Sequence, residues 1–392
     1  MRILYYSWNE IIKNDIISTM INMGVEVSLI DYTLRSTLED NDFLNYVENK
    51  LIEAEKENKK YNVIFSCNYI PVLSNIALDK KIYYVSWTYD SPCMTMYSKT
   101  IFNTYNILFH FDSHEVKRIS DLGVKNIYHL PLAVNIDRIH RIIRGNVNRN
   151  FNNDVRFMGN LYNDEPDFIE QVNNLPEYAK GYIKGMEDVQ LLIQGNDIIN
   201  ELLDNKLMNK MRKYISFTKV EGFFVNDRQL VFDMLCKNIS SRERIEILEQ
   251  INKSLPLVIY THSDVSNLKN IINKGYINYE SDMPKMFSTT AVNLNITLRS
   301  IKTGIPLRAL DIMGAGGFLL TNYCEELNEY MVDGKDFVTF YDANDCVEKC
   351  RFYLQHIAER ERIALNGMKK IKEMFTYEMQ MSKMFNTVKG II

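Results

Sequence analysis

Short apolar runs alternate with amphipathic stretches along the whole chain. Residues 2–7 and 61–68 are apolar runs of strand length, whereas residues 9–23 carry apolar positions at helical spacing. Residues 36–60, rich in Glu, Lys and Asn, fit a solvated helix. Strands that alternate with helices in this way predict parallel βαβ units, and we therefore expect an α/β fold.

The same pattern continues to the end of the chain. Residues 164–252 are mostly helical in pattern, and residues 344–375 predict one or two helices with a break at Asn366-Gly367. Further strands are predicted at residues 25–32, 81–90, 106–112, 126–134, 155–158, 256–260, 276–280, 292–296, 318–322 and 336–342.

The alternating pattern is lost at residues 138–153, where Asn and Arg accumulate. We interpret this stretch as a linker between a first domain at 1–150 and a second domain at 151–375. The helical stretch at about 165–250 would be an insertion in the second domain. Residues 376–392 predict an amphipathic helix that packs back on the first domain. A chain of 392 residues is long enough for two separate cores.

The stretch at residues 291–323 predicts a strand, a loop, a helix, a glycine turn and a second strand. Pro306 fits the first helical position, because the N–H that proline lacks would have no partner there. In a parallel α/β unit the loop after a strand lies at the carboxyl edge of the sheet, where ligands bind. We therefore expect the loop residues Lys302, Thr303 and Gly304 to face a ligand crevice.

Arg308 and Asp311 are three positions apart and so share a face near the start of this helix. The helix dipole favours an anion there by about 0.3–1 kcal/mol per charge. The dipole would therefore favour a bound diphosphate, and a cation in the first turn would pair with it. A carboxylate one turn further in suits ribose hydroxyls. The alternative is an ordinary surface Arg–Asp pair on a helix.

Polar and aromatic side chains follow the predicted strands of the first domain. Trp8 and Asn9 follow the first strand, Trp87 and Asp90 end the fourth, and Asp112 ends the fifth. The carboxyl ends of parallel strands meet at one edge of the sheet, so we expect a rim that faces a substrate.

Asp90 is the best candidate for chemistry in this rim. It lies at a strand end, is stiffened by Pro92 and is flanked by Trp87 and Tyr89. Its other possible role is to cap a turn or helix, which Asp before Ser-Pro serves well. Catalysis or acceptor binding and capping stay open as alternatives.

Two other signals are weaker. Gly159 and Asn160 follow a strand that opens the second domain, where a glycine permits close approach of a ligand, or simply a tight turn. His110 and His114 are four positions apart, but a strand at 106–112 would separate them across a turn, which disfavours a metal site.

Composition excludes several classes of function. The net charge of −4 and the absence of a basic block argue against nucleic acid as a partner. No window approaches 18 apolar residues, so no transmembrane segment is expected, and the first residues do not resemble a signal peptide. Six scattered cysteines without a CxxC motif favour reduced thiols and a cytoplasmic location.

The chain resembles bacterial glycosyltransferases of the GT-B fold, in particular the spore-maturation glycosyltransferase-like proteins. The resemblance rests on WTYDSP at 87–92, FHFD at 109–112 and YHLPLAVN at 128–135. In the second domain it rests on FMGN at 157–160 and on TGIPLRALDIMGAGGFLLTNY at 303–323. It implies two Rossmann-like domains with parallel sheets that face a central cleft.

The resemblance also implies a sugar-nucleotide donor, with a UDP-sugar favoured, bound mainly by the second domain. Arg308 and the amides near Gly304 would hold the diphosphate and Asp311 the ribose. Thr321 and Asn322 would line the same pocket, and His262 would face the nucleotide. The acceptor, a protein or a glycan, would bind the first domain. Proteins of this fold generally need no metal, so the resemblance implies no metal and no cofactor.

One departure leaves the stereochemistry open. Many retaining members of the family carry two glutamates around this helix, where this chain has Thr303 and Asp311. An inverting enzyme would need a base in the first domain, for which Asp90 is the candidate. A rival dehydrogenase assignment is weak, because the glycines at 314–317 end a helix instead of opening one. A non-catalytic carbohydrate- or partner-binding protein with this fold stays possible.

Overall fold

The computed structural model describes residues 1–144, 152–163, 172–215 and 221–392, which form two compact units. Unit 1 comprises Met1–Ala133, a short segment that ends at Val225, and Phe375–Ile392. Unit 2 comprises the described residues within Val134–Thr218 and Asn226–Met374. The division therefore falls before the stretch at 138–153 that we interpreted as a linker.

Unit 1 is built on a six-stranded sheet in the order β2-β1-β3-β4-β5-β6, in which all the described pairs are parallel. The third and fifth strands are buried at every position, because helices cover both faces of such a sheet. The strands are β1 (Arg2–Tyr6), β2 (Glu26–Ile30), β3 (Val63–Cys67), β4 (Tyr83–Thr88), β5 (Asn106–His110) and β6 (Ile127–His129). The helices are α1 (Lys13–Asn22), α2 (Asn41–Lys56), α3 (Pro71–Lys80), α4 (Ser113–Asp121) and, from the end of the chain, α15 (Tyr377–Ile391).

Unit 2 is built on a second six-stranded parallel sheet in the order β12-β11-β10-β7-β8-β9. The strands are β7 (Asn152–Met158), β8 (Leu257–Tyr260), β9 (Ile272–Asn273), β10 (Thr290–Asn295), β11 (Leu319–Asn322) and β12 (Val338–Phe340). The helices around it are α5 (Ile136–Arg144), α9 (Asp227–Asn252), α10 (Met283–Thr289), α11 (Leu307–Gly314), α12 (Glu325–Tyr330), α13 (Ala343–Gln355) and α14 (Ile357–Met374). Two parallel sheets with helices confirm the predicted fold class.

Two boundaries in unit 2 differ from the sequence prediction. The predicted linker begins with helix α5, whose residues Ile136, Ile139 and Ile143 form a buried face at helical spacing. The short strand expected at 276–280 is instead β9 at Ile272–Asn273. The rest of the predicted linker, residues 145–151, lies outside the described residues.

The break in the C-terminal helical stretch lies at His356, not at Asn366-Gly367 as predicted. Gly367 is inside α14, where a Cβ would overlap the carbonyl oxygen of Asp336 and approach the sulfur of Met313 at 3.3 Å. The glycine is therefore needed for close packing, not for a turn.

The helical stretch of unit 2 has a hydrophobic core of its own. The helices are α6 (Glu177–Leu192), α7 (Ile199–Leu202) and α8 (Asn205–Met211), together with the first half of α9. Their buried side chains include Ile183, Met211 and Leu235. The core of the sheet is a separate cluster that contains Phe157 and Leu294.

Candidate functional site

Strand β7 of unit 2 is followed by a turn at Gly159, and the guanidinium group of Arg308 lies against the backbone of this turn. Gly159 has a φ of +151°, and its N–H donates to the carbonyl oxygen of Tyr260 at 3.0 Å. A Cβ at this position would lie 2.9 Å from Nη2 of Arg308. A side chain there would collide with the guanidinium, so the glycine allows Arg308 to lie on the turn.

Arg308 projects from the first turn of α11 and has no hydrogen-bond or ion-pair partner among the described residues. The residue is half-buried, and its Nε is fully buried without an acceptor. Burial and, to a smaller extent, the nearby cation of Arg244 together lower the pKa of Arg308 to about 10. The side chain is still charged at neutral pH, and an unpaired cation with so little hydration is costly unless an anion binds there.

Arg244 is a second guanidinium at the same place, and the sequence analysis missed it. It is buried on α9, and Nε donates to the carbonyl oxygen of Ile296 at 3.1 Å, while Nη1 donates to that of Asn160 at 2.5 Å. These hydrogen bonds go to carbonyls, and none of the described carboxylates pairs with it. Burial lowers the pKa of Arg244 as well.

Both guanidinium groups lie near the ring of Phe157. The carbon Cζ of Arg244 is 5.7 Å from the ring centroid and that of Arg308 is 6.0 Å from it. The charge of Arg244 acts on Arg308, and like charges held near each other repel unless a group of opposite charge lies between them. The arrangement therefore suits an anion with two negative groups, which is the charge pattern of a diphosphate.

A signal for Arg244 was present in the sequence. Ser240, Arg244, Ile247 and Ile251 recur at helical spacing, and all four are buried on α9. An arginine on the buried face of a helix is a candidate for function because an unpaired charge is rarely buried.

Asp311 lies on the same helix as Arg308 but points into the interior. It is buried, and the hydroxyl of Tyr279 donates to Oδ1 at 3.3 Å. Tyr279 in turn lies under Arg138, whose Cζ is 5.1 Å from the ring centroid. If Asp311 binds the ribose, the ribose hydroxyl groups must reach a carboxylate that is buried and already accepts a hydrogen bond from Tyr279.

The loop residues 302–304 mostly face their own unit. The ammonium of Lys302 pairs with Asp197 at 2.9 Å and lies over the ring of Phe232 at 4.5 Å. The hydroxyl of Thr303 donates to Glu326 at 3.0 Å. Gly304 is buried and accepts a hydrogen bond from the thiol of Cys324. These contacts differ from the expected crevice-facing position of the loop.

Thr321 and Asn322, expected to line the donor pocket, are buried at the end of β11. The amide of Asn295 donates to the Thr321 hydroxyl at 2.9 Å, and the backbone N–H of Thr297 donates to Oδ1 of Asn322 at 2.9 Å. Their side chains join the ends of β10 and β11, which is a structural role.

Two other expected donor residues remain near the carboxyl ends of β7 and β8. Asn160 is exposed, and its Oδ1 accepts a hydrogen bond from Ser263 at 2.9 Å. His262 is also exposed, and its ring stacks on Tyr276 with centroids 5.7 Å apart and planes 20° apart. Gly159, Asn160, His262 and Arg308 therefore lie on the carboxyl edge of the sheet, as expected.

In unit 1, Asp90 is held by a side-chain amide. Nδ2 of Asn68 donates to Oδ2 of Asp90 at 2.6 Å, and Oδ1 of Asn68 accepts from the backbone N–H of Tyr89 at 3.0 Å. The carboxylate does not cap the following 3-10 helix, whose N-cap is Cys93. Although Asp90 is exposed at the surface, loss of hydration raises the pKa of its carboxyl group, and the Asn68 hydrogen bond opposes that shift.

Trp8 and Asn9 form the turn after β1. Trp8 is 40% exposed, its indole N–H donates to the carbonyl oxygen of Cys67 at 3.0 Å, and its ring is parallel to that of Tyr89. Asn9 is exposed with a φ of 66°, a left-handed conformation that asparagine tolerates.

Trp87 and Asp112 do not belong to an exposed rim. Trp87 is buried in β4 and its indole N–H donates to the carbonyl oxygen of Leu130 at 3.2 Å. Asp112 is fully buried and caps α4, where it accepts from the N–H of His114 at 3.1 Å. His110 ends β5 and His114 lies in the first turn of α4, so a turn separates them as expected.

The described residues include no group of three or more His, Cys, Asp or Glu side chains that could hold a metal ion. Within the same residues, none of the helices is both long and apolar enough to span a membrane.

Part of the chain matches a family of known proteins. Residues 242–386 match a family described as glycosyl transferase-like, and they include α11 with Arg308 and the part of α9 that carries Arg244. No curated protein matches the sequence.

Solved structures match over the full length of the chain. The Anabaena protein HepE in complex with UDP and glucose has a TM-score of 0.57 at 9% identity, and it covers 100% of both chains. Sucrose-phosphate synthase from Thermosynechococcus elongatus has a TM-score of 0.55 at 9% identity, also over 100% of both chains. An α-glucosyltransferase in complex with UDP-glucose and DNA has a TM-score of 0.52 at 13% identity over 99% of each chain.

The chain has the fold of the GT-B glycosyltransferases. At these identities the structural likeness establishes the fold alone, and the family match covers just over a third of the chain. For a GT-B fold, the pair Arg244 and Arg308 lies in the unit that the sequence resemblance assigned to the donor.

Proposed function

We propose that this protein is a glycosyltransferase that moves a sugar from a nucleoside-diphosphate sugar to a hydroxyl acceptor on a protein or a cell-surface glycan. The observation that carries the proposal is the pair of poorly hydrated guanidinium groups, Arg244 and Arg308, neither of which forms an ion pair with a described carboxylate. A UDP-sugar is the favoured donor, because proteins of the same fold have been solved with UDP or UDP-glucose.

In this proposal the two guanidinium groups act mainly on the leaving group. When the bond between sugar and diphosphate breaks, negative charge grows on the diphosphate. Fixed cations in a poorly hydrated position stabilise that charge without rearranging, and this is where most of the rate increase would arise. Their combined charge would also allow transfer without a metal or another cofactor.

Asp90 would act on the acceptor. If the reaction inverts the anomeric configuration, its carboxylate takes the proton of the attacking hydroxyl group. If the configuration is retained, Asp90 orients the acceptor instead. The hydrogen bond from Asn68 fixes the carboxylate in either case.

The alternative is a protein that keeps the fold and binds a carbohydrate or a partner without catalysis. The two arginines favour the enzyme, because a protein without a diphosphate ligand would have no use for two unpaired charges withdrawn from water. A cytoplasmic location in a bacterium is part of the proposal and is supported by six free cysteines. The closer resemblance to spore-maturation glycosyltransferase-like proteins stays a prediction.

The test is a thermal-shift panel of UDP, GDP, CMP and dTDP with their sugars, on the wild-type protein and on Arg308→Met. A nucleotide at 100 times its dissociation constant adds about 2.7 kcal/mol of apparent stability, which raises the Tm of a unit of this size by about 5 °C or more. We expect one nucleotide to give this shift in the wild type and none in Arg308→Met.

The matched control is Arg156→Met, which removes a cation of the same unit that already pairs with Asp154 at 3.0 Å. Arg156→Met changes the net charge by the same amount as Arg308→Met, and this variant should keep the rise in Tm that the nucleotide causes. The active nucleotide sugar should then be hydrolysed or consumed by the wild type. Binding without any turnover would favour the non-catalytic alternative, and the absence of a shift in the wild type would contradict the donor site.

A further inference from the structure

Unit 1 has an exposed aromatic surface whose position is fixed by several hydrogen bonds. The buried carboxylate of Glu10 accepts hydrogen bonds from the hydroxyl of Ser7 at 3.0 Å, from the backbone N–H of Trp8 at 3.1 Å and from the hydroxyl of Tyr5. These bonds fix the turn that carries Trp8. A buried carboxylate is thus used to hold an exposed tryptophan.

The indole is fixed from its other end as well. Its N–H donates to the carbonyl oxygen of Cys67 at the end of β3 at 3.0 Å, and the ring remains 40% exposed. Because its only polar atom is already bonded to the protein, the indole offers a ligand its apolar face.

Tyr89 extends this surface. Its ring is stacked parallel to the indole of Trp8 within 7°, with centroids 6.1 Å apart, so the two rings form one offset aromatic stack. Tyr89 precedes Asp90, whose Oδ1 has no partner among the described residues, while Asn68 holds Oδ2. We call Trp8, Tyr89, Asp90 and Asn68 the aromatic shelf.

The shelf combines a flat apolar surface with a fixed hydrogen-bond acceptor at its margin. A pyranose ring has the complementary surface, because its C–H groups form an apolar face and its hydroxyl groups lie around the edge. Aromatic rings bury such faces with little loss of side-chain entropy, and a carboxylate forms strong hydrogen bonds with hydroxyl donors. A lipid chain would leave Asp90 unsatisfied.

We propose that the aromatic shelf binds a saccharide, so that the hydroxyl acceptor of the transfer reaction is carried on a sugar ring. This inference rests on the proposed function and chooses the glycan over the protein side chain as acceptor. Trp8 is a specificity-determining residue in this assignment, and Glu10 is a positioning residue.

The chain has two tryptophans, and Trp87 is buried, so fluorescence can isolate Trp8. In a Trp87→Phe background, the emission of Trp8 and its quenching by acrylamide are followed during titration with methyl glycosides of glucose, galactose, mannose, rhamnose and N-acetylglucosamine. We expect at least one glycoside to change the emission saturably and to protect the indole from acrylamide. If Trp87→Phe fails to fold, wild-type protein labelled with 5-fluorotryptophan gives the same readout by ¹⁹F NMR.

Kinetics with the responding sugar as acceptor provides the second readout. Trp8→Ala should raise the acceptor KM at least 10-fold, while the nucleotide thermal shift, which reports on the donor site of unit 2, is retained. Phe102→Ala is the matched control, because Phe102 is another aromatic side chain of unit 1 and is 47% exposed. It should leave the acceptor KM unchanged.

Two results would overturn the inference while leaving the proposed function intact. One is a normal nucleotide thermal shift with no response of Trp8 to any glycoside. The other is a response of Trp8 to uridine alone, which would assign the shelf to the donor base. Loss of the nucleotide shift itself would instead contradict the proposed function.

Discussion

The Asp90 carboxylate is held by a side-chain amide and not by backbone N–H groups, which separates it from an ordinary turn aspartate. Asn68 provides that amide from a left-handed conformation with a φ of 58° at the end of β3. The sequence analysis left catalysis and capping open, and these hydrogen bonds argue against capping. They leave Oδ1 available to an acceptor.

The pKa of Asp90 predicts a pH dependence. Loss of hydration raises it above the value of about 3.9 for a free aspartate. As the base of an inverting reaction Asp90 must be ionised, so in that case the rate of transfer should fall as the pH decreases through this raised pKa. The pH profile of kcat/KM should therefore show an acid limb above that of a free aspartate, and Asp90→Asn should lose both the limb and most of the rate.

Asn68→Gly provides a second check, because glycine tolerates the left-handed backbone while removing the hydrogen bond that lowers the pKa of Asp90. The acid limb of the pH profile should therefore move to higher pH.

The raised pKa of Asp90 also affects stability. A carboxyl group whose pKa is higher in the folded state opposes folding when it is ionised, so its contribution to stability falls as the pH rises through that pKa. An unchanged profile in Asp90→Asn would remove Asp90 from the chemistry.

Among the elements of unit 2, helix α11 is set in place by glycine as well as by apolar contacts. It ends at Gly314, and Gly316 follows with a φ of +73° and donates its N–H to the carbonyl oxygen of Met313 at 2.9 Å. This confirms the predicted glycine termination. The neighbouring helix α14 approaches α11 closely because Gly367 has no side chain.

We expect Gly367→Ala to destabilise unit 2, since its Cβ would overlap the backbone of Asp336. Overpacking of this kind costs about 1–3 kcal/mol. Gly185→Ala is the control, because Gly185 lies inside α6 and a Cβ there would have nothing within 4 Å. At that position alanine should stabilise the helix by about 0.5–1 kcal/mol. Chemical denaturation followed by far-UV circular dichroism measures both, and equal effects would contradict the packing role of Gly367.

At the scale of the whole molecule, the end of the chain returns to unit 1. Helix α15 follows α14 of unit 2 directly, yet it packs in unit 1, where Tyr377 lies edge-on to Trp87 with ring centroids 6.0 Å apart. Unit 1 is therefore complete only when the last helix has been made. The sequence analysis had proposed this return from the amphipathic pattern of residues 376–392.

Met381→Ala should lower the stability of unit 1 by about 2–5 kcal/mol, because Met381 is fully buried on α15. Both tryptophans belong to unit 1, so urea unfolding followed by tryptophan fluorescence reports on this unit. Met379→Ala is the matched control on the same helix, since Met379 is 37% exposed. Equal midpoints for the two variants would show that α15 does not stabilise unit 1.

The sequence by itself determined the class of fold and which residues lie at the carboxyl edges of the two sheets. Apolar runs locate most of the strands because a strand covered on both faces excludes polar side chains. Residues directly after a strand lie at the carboxyl edge of a parallel sheet, which placed Gly159, Asn160, His262 and Trp8 correctly.

Only the tertiary structure decided which of these side chains are available to a ligand. Trp8 and Trp87 are the same residue type near two strand ends, but Trp87 lies within β4 and is buried, whereas Trp8 lies beyond β1 and is exposed. Lys302 carries the right charge for a diphosphate, but Asp197, more than a hundred positions away, neutralises it. Arg244 becomes a candidate because none of the described carboxylates reaches it. Charge and exposure depend on neighbours that are distant in sequence, and a local pattern does not contain them.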